Sequence, residues 1–329
     1  MDFHAPLRMA LTEVVLQDES LHLHSPGLGH EATETSYYGF NIPEAGIDAE
    51  IYFWLHPALG MMSGGIWIWQ GRKRLTLEAD YFSYYAYLPF PAEGILDYSP
   101  MPGMRVRVED PLKRIAVDYF DEVADTRVEL MLEAMFAPVG RPGGGHFTQA
   151  MRTSGRLRLR GVEHRIDGSF VRDRSWGDVR SERPRSLPPT TWMVGVFDDD
   201  LVFHARAFDD PAANPDWAGS ATAIAPDDRF RWGYIVERGE IIQLADCRMK
   251  RTTRTPDGIS PSGYSMELVD VNGRVLALVG EVVSRLPMQM WPNMLTHYCL
   301  TRWTLDDRTG WGDAQDIQYA DYIRAFARG

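Results

Sequence analysis

Residues 155–180 read GRLRLRGVEHRIDGSFVRDRSWGDVR, and this stretch decides the fold. Leu157 and Leu159 fall on one side of an extended chain, with Arg156, Arg158 and Arg160 on the other, the pattern of a half-buried strand. Asp167-Gly168 reads as a hairpin turn, because Gly accepts the positive φ that a tight turn needs. A second strand over Ser169–Trp176 then carries Val171, Asp173 and Ser175 on one face and Phe170, Arg172, Arg174 and Trp176 on the other. Arginines are seldom buried unless paired, so the Asp173 face is expected to point inward. An inward carboxylate in an apolar barrel has its charged form disfavoured and holds a proton near neutrality. The alternative is an ion pair with Arg172, Arg174 or Arg180, in which Asp173 only fixes the strand.

Upstream, strand signals recur over Ser36–Ile42, Ala49–His56, Met61–Gln70, Arg74–Ala79 and Tyr81–Phe90, and then over Met104–Val108, Arg114–Phe120 and Arg127–Phe136. Downstream, Asp198 to Asp200, Arg238-Gly239 and Asn272-Gly273 are hairpin turns between strand pairs, Asn272-Gly273 being the strongest such signal in the chain. Ile317–Arg328 reads equally as a strand or a closing helix. Many short strands joined by hairpins, with almost no helical periodicity, predict an antiparallel all-β protein, and up-and-down connectivity closes naturally into barrels.

The length of 329 residues suggests two domains, read here as 1–155 and 156–329. There are 10 Trp, 14 Tyr and 14 Phe, a density that suits β-structure and a large apolar pocket. A net charge of −12 argues against nucleic acid or an anionic membrane as the main partner. Only Cys247 and Cys299 occur, too few for a disulfide framework or a four-ligand zinc site. The N-terminus lacks the basic start and apolar core of a secretory signal, and no apolar run approaches the ~18 residues that span a bilayer. The reading is a cytoplasmic protein without a membrane span, with a homodimer left open.

The Gly-x-x-x-x-x-Gly segment, Ile-Asp-Gly, and Arg-Asp-x-Ser-Trp-Gly-x-x-Arg together resemble the signature of the AttH-like and carotenoid 1,2-hydratase (hydroxyneurosporene synthase) superfamily. The resemblance implies two lipocalin-like β-barrel domains in tandem, with the signature near their seam. It also implies water addition to isoprenoid double bonds or cyclisation of hydrophobic polyenes. Arg174 stands where His is usual in this branch, so no acid–base role carries over to that position.

The sequence shows no phosphate loop, as Arg141 to Gly145 lacks the Gly-Lys-Ser/Thr ending, and no GxGxxG, nucleophile triad or cofactor fingerprint. His22, His24 and His30 lack a carboxylate at firm ligand spacing, so no metal and no cofactor is expected. What remains is a carboxylate among aromatic rings, equipment for cofactor-free proton chemistry in which rings stabilise a cation. Asp173 is the expected general acid, with His204 and His297 as the other catalytic candidates. Tyr37, Tyr38, Trp192 and Trp303 are expected to join the two histidines in lining a pocket. Arg174 and Trp176 complete the substrate-binding set, Trp176 with a role more structural than catalytic. The expected activity is a hydratase, dehydratase, isomerase or cyclase acting on a hydrophobic isoprenoid, steroid-like or polyene substrate. The alternatives are a non-catalytic binder of a hydrophobic small molecule and a metal-dependent oxygenase built on His22 and His24.

Overall fold

The computed structural model describes residues 9–23, 29–179, 187–209, 224–291 and 293–327. The chain forms two compact units, one of Leu11–Trp69 with Ala79–Ser181, the other of Met1–Ala10, Gln70–Glu78 and Glu182–Gly329. A domain boundary at 155/156 would cut a strand; the division falls after the signature, because both strands of its hairpin belong to one sheet.

The first unit is an open, curled antiparallel sheet. Its strands are β1 (Ala32–Ile42), β2 (Ile47–His56), β3 (Met61–Gln70), β4 (Tyr81–Pro89), β5 (Asp97–Tyr98), β6 (Met104–Asp110), β7 (Arg114–Asp121), β8 (Thr126–Ala134), β9 (Val139–Gly140), β10 (His146–Leu159) and β11 (Val162–Val179). The order is β4-β3-β2-β1-β11-β10-β8-β7-β6-β5, with β9 beside β10, so hairpin neighbours dominate and β1 meets β11 at the middle. Alternation sends Tyr38, Phe40 and Ile42 of β1 into a core with Ile51, Phe53, Ile66, Val117, Leu130 and Leu157.

The signature hairpin turns at Arg160-Gly161, with φ of 49° and 82°, rather than at Asp167-Gly168. Both dipeptides offer the glycine that a primed turn requires. Register chooses between them: turning at Gly161 pairs Leu157 with His164 and Gln149 with Arg172, and leaves Gly168 inside β11 opposite Thr153. The other signature glycine, Gly155, has φ of 142°, and a Cβ there would lie 1.9 Å from the Glu129 carbonyl oxygen.

The second unit is a closed eight-stranded barrel: β12 (Thr190–Phe197), β13 (Leu201–Phe208), β14 (Phe230–Glu237), β15 (Glu240–Arg254), β16 (Pro261–Asp270), β17 (Val275–Trp291), β18 (Met294–Leu305) and β19 (Arg308–Tyr319), with β19 returning to β12. The turns at Asp198–Asp200, Arg238-Gly239 and Asn272-Gly273 fall where the dipeptides place them. Beyond β19 the chain turns into helix α1 (Ala320–Ala327), so both readings of the C-terminal segment hold in part. The strand expected over Arg74–Ala79 is absent: Thr76–Glu78 is a 3-10 turn, and the segment lies along β17, where Lys73 N–H donates to the Arg285 carbonyl at 2.7 Å.

Large side chains pack together inside this barrel. Phe203, Tyr264, Met266, Leu278 and Trp303 share one core. Trp303 fits because Gly195 and Gly280 face it; a Cβ at either would come within 2.8 Å of the indole. Among the described residues no helix is long and apolar enough to cross a membrane.

Candidate functional site

The signature strand behaves differently from its sequence reading. Arg172 and Arg174 point into the open-sheet unit and are both fully buried, whereas Asp173 lies on the opposite face. The expectation of outward arginines is therefore overturned, while Asp173, on the opposite face, is buried as well. A short segment before β1 makes this possible. Arg172 donates two bonds of 2.7 Å to the Glu19 carboxylate, and to the Gln149 side-chain oxygen at 3.1 and 2.7 Å. Arg174 donates to Ser36 Oγ and the Ser20 carbonyl, both at 2.8 Å, and to Glu34 at 3.2 Å. Trp176 stacks on His22 with ring centroids 4.0 Å apart. Three alternate residues of β11 thus each grip one of Glu19, Ser20 and His22.

A buried guanidinium is tolerated only with paired charge and satisfied donors, and here a fork-to-fork carboxylate supplies both. Burial alone would raise the Glu19 carboxyl, but Arg172, Arg174 and the Leu112 N–H outweigh it and hold it below the usual carboxylate value. Burial, with the Glu19 charge close by, pushes the Tyr38 phenol up.

On the outer face of the same sheet, Asp173 is cross-strand neighbour to Tyr37 of β1 and Thr148 of β10. The Tyr37 ring meets Tyr52 edge-on at 5.0 Å and Phe170 at 5.3 Å. The residues expected at one pocket are thus divided within this unit: Tyr37 shares a face with Asp173, while Tyr38, Arg174 and Trp176 lie on the side of the segment Glu19–His22, which acts as a strap. His22 is engaged by Glu34 and Trp176, and His24 lies outside the described residues.

In the closed barrel, alternation likewise separates the expected residues. Met193, Phe203 and Ala205 point inward, so Trp192 and His204 occupy the outer wall, whereas His297 and Trp303 are interior. The wall around His204 is aromatic: Trp232 lies at 4.3 Å, Trp192 at 5.1 Å and Tyr234 at 5.5 Å between ring centroids. Strand register builds this box, because Tyr234 is directly opposite His204 and Trp232 directly opposite Arg206 on β14. Gly233 between them lets the strands close, since a Cβ there would meet the His204 carbonyl at 2.5 Å.

His204 Nδ1 is 3.2 Å from the Met193 carbonyl oxygen. A carbonyl only accepts, so Nδ1 carries the proton and Nε2 presents a lone pair. That Nε2 is buried and has no hydrogen-bond partner among the described residues. Burial pushes the imidazole pKa down to about 3, helped by the Arg206 charge and opposed by the bond to Met193. The ring is neutral at pH 7, with one acceptor atom unused in an aromatic setting.

His297 belongs to a different constellation at one end of the barrel interior. Arg254 donates to both oxygens of Asp316, at 2.7 and 3.1 Å, and to Asp209 at 2.9 Å. Lys250 also pairs with Asp209, and Thr252 donates to the same carboxylate at 2.8 Å. Gln318 donates to Asp316 at 2.6 Å and approaches His297 Nδ1 at 3.5 Å. Burial moves the His297 pKa down to about 4, with Asp316 opposing and Arg254 and Arg285 reinforcing. Two carboxylates against two cations leave this cluster balanced, as befits a lock more than a reactive centre.

Sequence reasoning missed Trp232 and Tyr234, and also Asp209, Lys250, Arg254 and Asp316. The Trp-Gly-Tyr alternation in β14 was the available cue for the first two. The second group is scattered over two strands and a loop and left no local signal.

Three solved structures are similar to this chain across most of its length. Kievitone hydratase from Nectria haematococca shares 15% identity over 96% of this chain and 94% of its own, with a TM-score of 0.54. A putative AttH from Nitrosomonas europaea shares 12% over 87% and 91%, with a TM-score of 0.57. CghA shares 11% over 88% of each chain, with a TM-score of 0.52. At such identities the likeness is one of fold, and it is the AttH-like, lipocalin-like β-fold that the signature implies. A search of the curated proteins finds no match. A family model covers residues 17–320, and the chain belongs to that family, the Domain of unknown function (DUF7064).

Proposed function

We propose that this protein is a cofactor-independent acid–base enzyme that adds or removes water, shifts a double bond or closes a ring on a hydrophobic small molecule. Isoprenoid, steroid-like and polyene compounds are the substrate class. One observation carries the reading: a neutral imidazole, His204, whose Nε2 lone pair is unpartnered among Trp192, Trp232 and Tyr234. A buried acceptor left unsatisfied costs about 1–3 kcal/mol, which folding alone gives no reason to retain. Aromatic faces stabilise a carbocation, and the lone pair can take the proton that such a cation, or the water attacking it, must lose. Trp192 enters as substrate wall beside His204, and Asp173, in the open-sheet unit, is proposed separately as a group able to hold a proton. Arg174, Trp176 and Tyr38 hold the strap, while His297 and Trp303 stabilise the barrel.

The similar hydratase and AttH folds support this class of chemistry without naming the substrate. The binder reading draws its force from barrels that enclose a cavity. It differs from the enzyme reading in asking for no proton-transferring group at all.

Incubation with linear isoprenoid alkenes and alcohols in deuterium oxide tests the proposal. A product that has gained or lost water, or moved a double bond, and carries deuterium supports it. An unchanged panel with saturable tryptophan quenching counts against catalysis and for a binder.

A further inference from the structure

His204 does not stand alone on the outer wall of the closed barrel. Arg206 follows it at the next outward position of β13, roughly 7 Å along the strand. In register, Arg206 is directly opposite Trp192 on β12 and Trp232 on β14, so a guanidinium stands in one cross-strand row with two indoles. The pairing of β13 with β14 slips just beyond this row, and the extra residue there, Arg231, has its guanidinium over the Phe208 ring, 5.8 Å from the centroid. Trp192, His204, Trp232 and Tyr234 are buried, whereas Arg206 is partly exposed. An aromatic wall with a placed cation suits an apolar molecule that carries an acidic head.

We propose that the substrate of this wall is a carboxylic acid, its carboxylate held by Arg206, its hydrocarbon part against Trp192, Trp232 and Tyr234, and its reacting carbons at His204. The inference rests on the reading of the His204 wall as the reaction site, and it narrows the isoprenoid, steroid-like and polyene substrates to acids. A guanidinium carries five N–H donors in a planar fork, so a neighbour within the chain does not exhaust it, and two of them match the oxygens of a carboxylate. One guanidinium balances one negative charge. In a chain of net charge −12, a diphosphate head would bring more charge than Arg206 offsets. The spacing of Arg206 and His204 sets the reacting carbons a few bonds from the head. The acid also assists the base. Before substrate arrives, the Arg206 charge disfavours a proton on His204. A carboxylate on Arg206 offsets that charge and favours the imidazolium formed when Nε2 takes a proton. An alcohol of the same skeleton gives no such help.

Calorimetric titration of the full chain tests this, with geranic acid against geraniol, retinoic acid against retinol, and geranyl diphosphate. At least one acid is expected to bind roughly 10- to 100-fold more tightly than its alcohol, the worth of one charge-assisted pair. Arg206→Gln is expected to abolish that preference with an unshifted Tm, and Arg206→Lys to restore part of it. An alcohol that binds as tightly as its acid in both pairs overturns the proposal, as does a wild type that binds neither acid. So does a preference for the diphosphate, or an acid preference that survives Arg206→Gln. The ligand comparison on the wild type needs no variant, so it decides the matter even should Arg206→Gln fold poorly. This assignment and the reaction fail separately. An acid that binds through Arg206 and is not turned over upholds the assignment and counts against the reaction. Turnover of an alcohol but not of its acid upholds the reaction and overturns the assignment.

Discussion

Glu19→Ala is the substitution that most sharply tests how the signature works. Arg172 is fully buried and Glu19 nearly so, and the pair is bidentate at 2.7 Å for both bonds. Removing the carboxylate strands a guanidinium in the interior, left among the described residues with the Gln149 side chain and the Phe147 ring. Breaking such a buried pair from one side typically costs about 3–5 kcal/mol. At roughly 2–4 °C per kcal/mol for units of this size, Tm should fall by about 6–20 °C. Replacing both partners with apolar residues, as in Glu19→Met with Arg172→Met, removes the uncompensated charge and should recover most of the loss. Urea and thermal melts of the two variants and of Arg172→Met alone complete the cycle. A Glu19→Ala protein that melts with the wild type would refute the strap. So would a double variant that is no better than Glu19→Ala.

Three further outcomes are expected. Asp209→Asn should cost a few kcal/mol in urea melts, because Lys250 and Arg254 lose a shared buried carboxylate. Gly280→Ala should destabilise the barrel by about 1–3 kcal/mol, since the new methyl meets the Trp303 ring at 2.6 Å, and unchanged stability would show that the indole can yield. Stability should also fall on acidification through two histidines whose folded pKa values, about 3 for His204 and about 4 for His297, lie below the unfolded value. The unfolded chain binds these protons first, so their contribution is full above about pH 6.5 and is lost progressively as pH drops toward 4 and 3. His204→Phe with His297→Phe should flatten that part of the pH profile.

Much of the fold was legible in the sequence. Alternation and the Asn272-Gly273 and Arg238-Gly239 turns located most strands, because hairpin signals are local. The signature hairpin was misplaced because Arg160-Gly161 and Asp167-Gly168 carry the same local signal, and only pairing with β8 and β1 selects a register. The inward arginines were illegible for a related reason. Their carboxylate partners, Glu19 and Glu34, lie about 140–150 residues away, and a rule that arginines stay outside holds only until such a partner arrives. For the site, the sequence offered Trp192 and His204 only as members of one expected pocket with Tyr37, Tyr38, His297 and Trp303. Nothing local announced that β14 would bring Trp232 and Tyr234 beside His204, since β13 and β14 are not joined by a short turn. His297 and Trp303 have the same composition cues as His204 and Trp192 and differ only in parity along their strands.

The most direct measurement compares wild type with His204→Gln on whichever isoprenoid substrate the wild type turns over in deuterium oxide. Glutamine keeps a polar side chain but cannot act as a base, and removing an imidazole that transfers a proton lowers the rate by about 10²–10⁴-fold. The expected result is that loss in kcat, with an unshifted Tm and with Asp173→Asn impaired as well. A His204→Gln protein that is folded and turns over at the wild-type rate would contradict the proposed chemistry.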